Sequence, residues 1–444
     1  MPTKSVISYD HSYMWASRAS GGAADGEREA LARSLEPVKA RLMEGWKGGK
    51  IGFFGIPELS DDLATVRRAA KDVAKSFSDL VVIGIGGSDL GARALIRALG
   101  TEGKGIRVHF IGANTDPEEI AALLARVDLR KTALNVISKS GDTIEPMSAF
   151  VLLRDKLIRK VGRERHRRHV IATTDPSTGT LRQIADREGY RTLPVPQRIG
   201  GRFSALTTVG LFPAACAGID AAALVRGAKA ERDAFARTPA GVSGPMLFAG
   251  LQHAAYARRG QRVSVLMPYA DGLKDMGAWY RQLWAESLGK KRSRSGMVVH
   301  HGMTPVAALG ATDQHSQIQL YNEGPADKVV TFIEVDSFRK DFVVPNPFPD
   351  LEGVAYMAGH TFEEIIHAER EATALSLAKN GRPSGTIHIP AIAPGAVGSL
   401  MMFFMLATAA AAELLDIDAY DQPGVEEGKK AMYALLGRKG FTLS

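Results

Sequence analysis

The sequence predicts an α/β fold: two doubly wound, mainly parallel sheets followed by a C-terminal helical tail. Apolar runs of strand length recur along the chain. Each leads through a Gly, Ser or Asp turn into a segment of helical patterning, the pattern of parallel strands joined by crossover helices. At 444 residues the chain exceeds the roughly 250 to 300 residues at which one core stops growing, so two domains are expected. A composition of 45% hydrophobic and 23% charged residues excludes wholesale disorder and fibrous architectures.

Residues 1–44 read as an N-terminal helical segment. The first thirty contain no apolar stretch between a basic head and a small-residue cleavage site, so cytoplasmic residence is the expectation. Within a first domain, 45–204, the strands are LVVIGIGG from Leu80, RVHFIGAN from Arg107, ALNVISKSGD from Ala133 and HVIATTD from His169. After the Gly200-Gly201 turn a second domain, 205–414, repeats the pattern with RVSVLMPY from Arg262, MVVHHG from Met297, KVVTFIEV from Lys328 and GTIHIPAI from Gly385. No strict sequence period relates the halves. Cys216, the single cysteine, lies in VGLFPAACAGI and reads as a buried, inert thiol. The segment Ala396 to Ala412 has the length and apolarity of a membrane span. Its alanine content, the immediate Glu413 and the lack of a second such run instead mark it as a buried core helix. Residues 415–444 begin with a turn and read as one more helix.

A net charge of +8 and the basic runs Arg159 to Arg168 and Lys290 to Arg294 raise the question of nucleic acid. No zinc-ligand spacing, helix-turn-helix pattern or aromatic-basic RNA motif accompanies them. The charge is therefore read as solvated helix faces and as attraction for a small anionic substrate, with neither nucleic acid nor membrane as a partner.

Five segments have chemical potential. In VVIGIGGSDLGARAL a strand enters a loop with Gly84, Gly86, Gly87 and Gly91, where backbone can approach a ligand at a helix start. Gly84 and Gly86 match the opening of a dinucleotide fingerprint, but Asp89 stands in the third glycine's place and would crowd a pyrophosphate. Sugar hydroxyls beside Gly87 and Ser88 are favoured. In NVISKSGDTIEP the hydroxyls of Ser138, Ser140 and Thr143, the Gly141 backbone N–H and the Lys139 charge suit a phosphate monoester. The same residues also fit a helix cap, with Asp142 capping and Glu145 completing a capping box.

The third candidate pairs GGRFS at Gly200 to Ser204 with the helix GAWYRQLWAESLGKK. Gln282 and Glu286 are four apart and share a face, and Glu286 lies near the negative end of the helix. That position should raise its pKa toward a general base's range, unless Lys290 or Arg281 acts as counterion. His315 in GATDQHSQIQL is as readily an exposed helix-start histidine as a catalytic one. Lys429 in DQPGVEEGKKAM follows a first-turn Pro423 and alone is an ordinary surface lysine. His300 and His301 point to opposite faces of a strand, and His166 and His169 have no carboxylate cluster beside them, so neither a catalytic metal nor a cofactor is expected.

In this order the segments resemble the phosphoglucose isomerase family. GIGGSDLGARA is similar to the family's first sugar-isomerase loop, SKSGDTIEP to its phosphate loop, GGRFSALTTVGLFP and AESLGK to two signature regions, QHSQIQLYNEGP to its histidine segment and DQPGVEEGK to its lysine segment. The resemblance covers the chain from about residue 50 to the C-terminal helix. It implies two sugar-isomerase domains, each an αβα sandwich, in a homodimer with active sites at the interface, interconverting glucose 6-phosphate and fructose 6-phosphate through an enediolate.

Carried across, Glu286 moves the proton between C2 and C1 and Arg202 stabilises the enediolate. His315, from the partner subunit, and Lys429 open the sugar ring. Ser138, Lys139, Ser140 and Thr143 hold the phosphate, while Gly87, Ser88, Gln282 and Gln422 orient the sugar. Asp142 departs from the threonine common among relatives and puts phosphate affinity in question unless it turns away to cap the helix. A non-catalytic sugar-phosphate sensor would need the phosphate loop but not Glu286, Arg202, His315 and Lys429.

Overall fold

The computed structural model describes residues 5–100 and 104–442. The chain enters through a short strand β1 (Ser8–Asp10), then helices α1 (Arg28–Lys47) and α2 (Ser60–Ser76). Strands and helices next alternate: β2 (Asp79–Ile83), α3 (Leu90–Leu99), β3 (Arg107–Ile111), α4 (Pro117–Arg126), β4 (Thr132–Ile137), α5 (Ile144–Val161), β5 (Val170–Thr174), α6 (Thr180–Glu188) and β6 (Arg191–Pro194). These five strands form one sheet of order β3-β2-β4-β5-β6, parallel throughout. β2, β4 and β5 are buried along their whole length, which is why their sequences are continuous apolar runs rather than alternating ones.

Three helices, α7 (Thr208–Cys216), α8 (Ala221–Arg237) and α9 (Gly244–Arg259), lead to β7 (Val263–Pro268) and α10 (Lys274–Leu288). After them come β8 (Lys290–Arg292), β9 (Val298–His301), β10 (Thr304–Ala307), α11 (Ile318–Glu323), β11 (Lys328–Val335), α12 (Glu352–Ala355), α13 (Phe362–Lys379), β12 (Ser384–Ile389), α14 (Pro394–Leu414) and the tail helix α15 (Glu426–Leu435). The second sheet has the order β1-β12-β11-β7-β10. Its pairs are parallel except for β1, which runs antiparallel along β12 with Tyr9 opposite Ile387.

Two expectations change. The MVVHHG run does not join the second sheet; it is β9, paired antiparallel with β8 as a separate ribbon. A short turn through Ser293 and Gly296 links the two, and a link that short permits only antiparallel pairing, since a parallel neighbour needs a crossover. Met297 and Val298 at its tip are accordingly exposed, and β10 fills the sheet position. The N-terminal segment is not wholly helical either, since Ser8–Asp10 is a strand.

α7, beyond the boundary expected at 204/205, packs on α2 and α3. One hydrophobic cluster holds Leu80, Leu95 and Leu211 together with Leu266, Leu283 and Ile387, so the two sheets share a continuous core. The apolar run near the C-terminus is α14, which lies against α8, α9 and α10 with 94% of its most apolar window buried. Cys216 is buried in α7 as expected, and burial pushes its thiol pKa up.

Candidate active site

In the first sheet the chain passes from β2 outward to β3 and returns to β4 on the other side of β2. The carboxyl ends of β2 and β4 thus form a topological switch point, where open α/β sheets bind ligands. Both motif loops open there. The loop after β2 turns through Gly86–Ser88 into α3. A Cβ on Gly87 would lie 2.2 Å from the carbonyl of Gly201, so a glycine is required for this loop to meet the GGRFS segment. Asp89 is not poised to crowd a ligand: it is buried and ion-paired with Arg93 at 2.7 Å. Burial raises its carboxyl pKa, and Arg93 opposes the rise.

The loop after β4 is folded by its own hydroxyls. Ser138 Oγ accepts the Gly141 N–H at 2.9 Å, and Ser140 Oγ accepts the Asp142 N–H at 3.2 Å. Gly141 has φ +75°, and a Cβ there would come within 2.1 Å of the Leu181 nitrogen, so it shapes the loop from beneath rather than offering its N–H outward. Lys139 Nζ donates to the Gln197 carbonyl at 2.8 Å. The expected Asp142 cap is not formed. α5 begins one residue later, with Thr143 at the N-cap and no side-chain cap bond, because Asp142 Oδ1 instead accepts from Thr180 Oγ1 at 2.7 Å.

Facing these loops is the last turn of α10. Glu286 Oε2 lies 3.1 Å from Arg202 Nη1, with the arginine side chain 2% exposed and the glutamate 33%. Gln282, one turn earlier, donates to Glu286 Oε1 at 2.9 Å. Arg202 also donates to Ser287 Oγ at 2.8 Å, to Gln422 Oε1 at 2.9 Å, and to the carbonyls of Ala419 and Asp421. Burial pushes the guanidinium pKa down and Glu286 works against that. The counterion of Glu286 is therefore Arg202, neither Lys290 nor Arg281; Lys290 donates to the Glu286 carbonyl and pairs with Asp421 at 2.9 Å. A full positive charge at this distance offsets the unfavourable end of the helix.

All the expected site residues except Gly141 and His315 line one cavity of about 1010 Å³. Lys429, on α15, reaches it while paired with Glu426 at 3.0 Å. His315 is exposed in the turn Thr312–His315 after β10 and does not line the cavity. His166 and His169 serve the fold, bonding to Tyr190 at 3.0 Å and to the Thr132 carbonyl at 2.9 Å. Tyr433 and Arg438 also line the cavity. No pattern in the sequence distinguishes them from the rest of an amphipathic tail.

Two doubly wound sheets, with a hydroxyl-rich loop at a switch point and a carboxylate held against a buried guanidinium in the same cleft, have the architecture of the sugar-isomerase class of α/β proteins. The phosphoglucose isomerase family model matches residues 61–438, and the chain belongs to that family. It is 42% identical to the glucose-6-phosphate isomerase of Carboxydothermus hydrogenoformans, over 97% of this chain and 94% of that protein. It is 40% identical to that of Rubrobacter xylanophilus, over 95% and 96%. The solved structure of a hypothetical protein from Thermus thermophilus superposes with a TM-score of 0.87 at 38% identity, covering 97% of this chain and all of that one. A glucose-6-phosphate isomerase structure from Chlamydia trachomatis shares the fold, with a TM-score of 0.85 at 24% identity over 97% and 88% of the two chains.

Proposed function

We propose that the protein interconverts glucose 6-phosphate and fructose 6-phosphate by ring opening and proton transfer through a cis-enediolate. The observation that carries this reading is the Arg202–Glu286 pair, 3.1 Å apart, in the same cavity as the Ser138–Thr143 loop. Abstraction of a proton beside a carbonyl needs a carboxylate base, a cation near the developing oxyanion and a fixed handle on the substrate. In this reading Ser138, Lys139, Ser140 and Thr143 take the phosphate, and Gly87, Ser88, Gln282 and Gln422 orient the sugar. Glu286 carries the proton between C2 and C1 while Arg202 stabilises the enediolate oxygen.

Ring opening falls to Lys429 and to His315 of a second copy, in a homodimer. Two features support that assembly. His315 is exposed, away from its own chain's cavity. The segment between β11 and α13 also presents Phe342, Phe348, Leu351 and Tyr356 at exposures of 65%, 54%, 53% and 71%, large apolar side chains in one segment that an interface would cover. Cytoplasmic residence, where sugar phosphates are held, belongs to the same reading. The test is a coupled assay for glucose 6-phosphate formed from fructose 6-phosphate; no product from folded protein would overturn the reading.

A further inference from the structure

Two features at the phosphate end of the cavity have no role in that assignment. One is Asp142, a carboxylate within a loop meant for a dianion. The other is Arg438, brought to the cavity by the chain after α15. Its guanidinium lies 4.4 Å from the Tyr433 ring centroid and 5.3 Å from that of Phe441. Its Nη2 is 3.9 Å from Asp142 Oδ2, and the Tyr433 hydroxyl donates to the Asp142 carbonyl at 3.1 Å. The tail thus grips the phosphate loop at its one acidic residue, and it does so with a cation.

We propose that Arg438 is a second phosphate cation of this active site, shared between Asp142 and the substrate's phosphate. The inference rests on the isomerase reading above for the identity of the ligand. A dianion on Ser138, Ser140 and Thr143 meets repulsion from Asp142. Thr180 holds one carboxylate oxygen toward α6 at 2.7 Å, and Arg438 faces the other. At 3.9 Å, with both side chains 44% exposed, the Arg438–Asp142 pair is loose and costs little to break. A phosphate offers the guanidinium fork more charge and more acceptor oxygens than one carboxylate does. The two aromatic rings steady the guanidinium meanwhile. Lys429 and Tyr433 are four residues apart on α15 and share a face, so a tail drawn onto the phosphate also sets Lys429 over the sugar.

The test uses Arg438→Ala, Arg438→Lys and Asp142→Asn in the full chain, with melting curves to establish that each folds. Inorganic phosphate is titrated calorimetrically, and KM and kcat are measured with fructose 6-phosphate. Arg438→Ala should weaken phosphate binding and raise KM by about 10- to 100-fold, the worth of a charge-assisted hydrogen bond, with a smaller change in kcat. Arg438→Lys should recover part of the loss, and Asp142→Asn should move phosphate affinity the other way. Wild-type phosphate affinity in a folded Arg438→Ala variant, or weaker binding in Asp142→Asn, overturns the proposal. Phosphate titration does not depend on turnover. A protein that binds phosphate through Arg438 but does not isomerise would sink the proposed reaction and leave the role of Arg438 standing.

Discussion

Glu286 and Arg202 form the shortest route from residue chemistry to function. Glu286→Gln keeps the shape and the hydrogen bond from Gln282 but removes the proton acceptor. General-base catalysis contributes roughly 100- to 10,000-fold, so kcat should fall by at least that range while fructose 6-phosphate still binds through the phosphate loop. Deuterium entering C1 or C2 from solvent during wild-type turnover is the direct readout of an enediolate. Isomerisation with no exchange, together with near-normal turnover in Glu286→Gln, would mean that Glu286 does not move a proton. A second residue-scale expectation lies far from the site. Burial at 2% exposure drives the Glu231 carboxyl pKa up to about 7, against a hydrogen bond from Ser5 that lowers it. The folded state then holds a proton that the unfolded chain releases. Stability should therefore be greatest below the ordinary carboxylate pKa and decline as pH rises to about 7, by on the order of a few kcal/mol. Urea unfolding at pH 4.5 and pH 8 checks it: the difference should shrink in Glu231→Gln.

At the scale of elements, α14 is the helix whose loss the fold should tolerate least. Phe404 is fully buried with ring centroids of Tyr280, Phe248 and Trp279 at 5.0, 5.9 and 6.5 Å. Phe404→Ala should cost about 3 to 5 kcal/mol, read as a lower denaturation midpoint with an unchanged m-value. Elements like this were legible in the sequence because burial on all sides forces unbroken apolar runs, as in β2, β4, β5 and α14. The same logic misplaced MVVHHG, whose valines look like a core strand but sit on an exposed ribbon, since the decisive fact was the length of the link to β8. β6 and β10 escaped notice because each is four residues long and contains a proline, Pro194 and Pro305. At the site, spacing put Gln282 and Glu286 on one helix face and grouped Ser138, Ser140 and Thr143 in one turn, while the roles expected of them came from the family resemblance. Contacts such as Arg202 with Gln422, 220 residues apart, and the approach of Arg438 to Asp142 depend on how the tail is laid down, which no local pattern encodes.

The whole molecule poses the question of where His315 acts. If it completes the site of a second copy, mixing His315→Ala with Glu286→Gln under subunit exchange should restore part of the activity, because some mixed dimers regain one intact site. Proven exchange without recovery would place both residues in one chain's site. The apolar segment bearing Phe342 and Tyr356 gives a parallel measurement: charged substitutions there should lower the mass found by sedimentation together with the activity. The strand β1 has a different consequence for the molecule. By lying antiparallel on β12, three residues occupy the backbone donors and acceptors that a sheet edge would otherwise offer to any extended chain. Loss of Ser8–Asp10 would leave the residues that line the cavity untouched and uncover a template for β-pairing between molecules. A variant shortened past Asp10 should thus fail first as a colloid, precipitating on storage at concentration, while its freshly diluted form still turns over substrate.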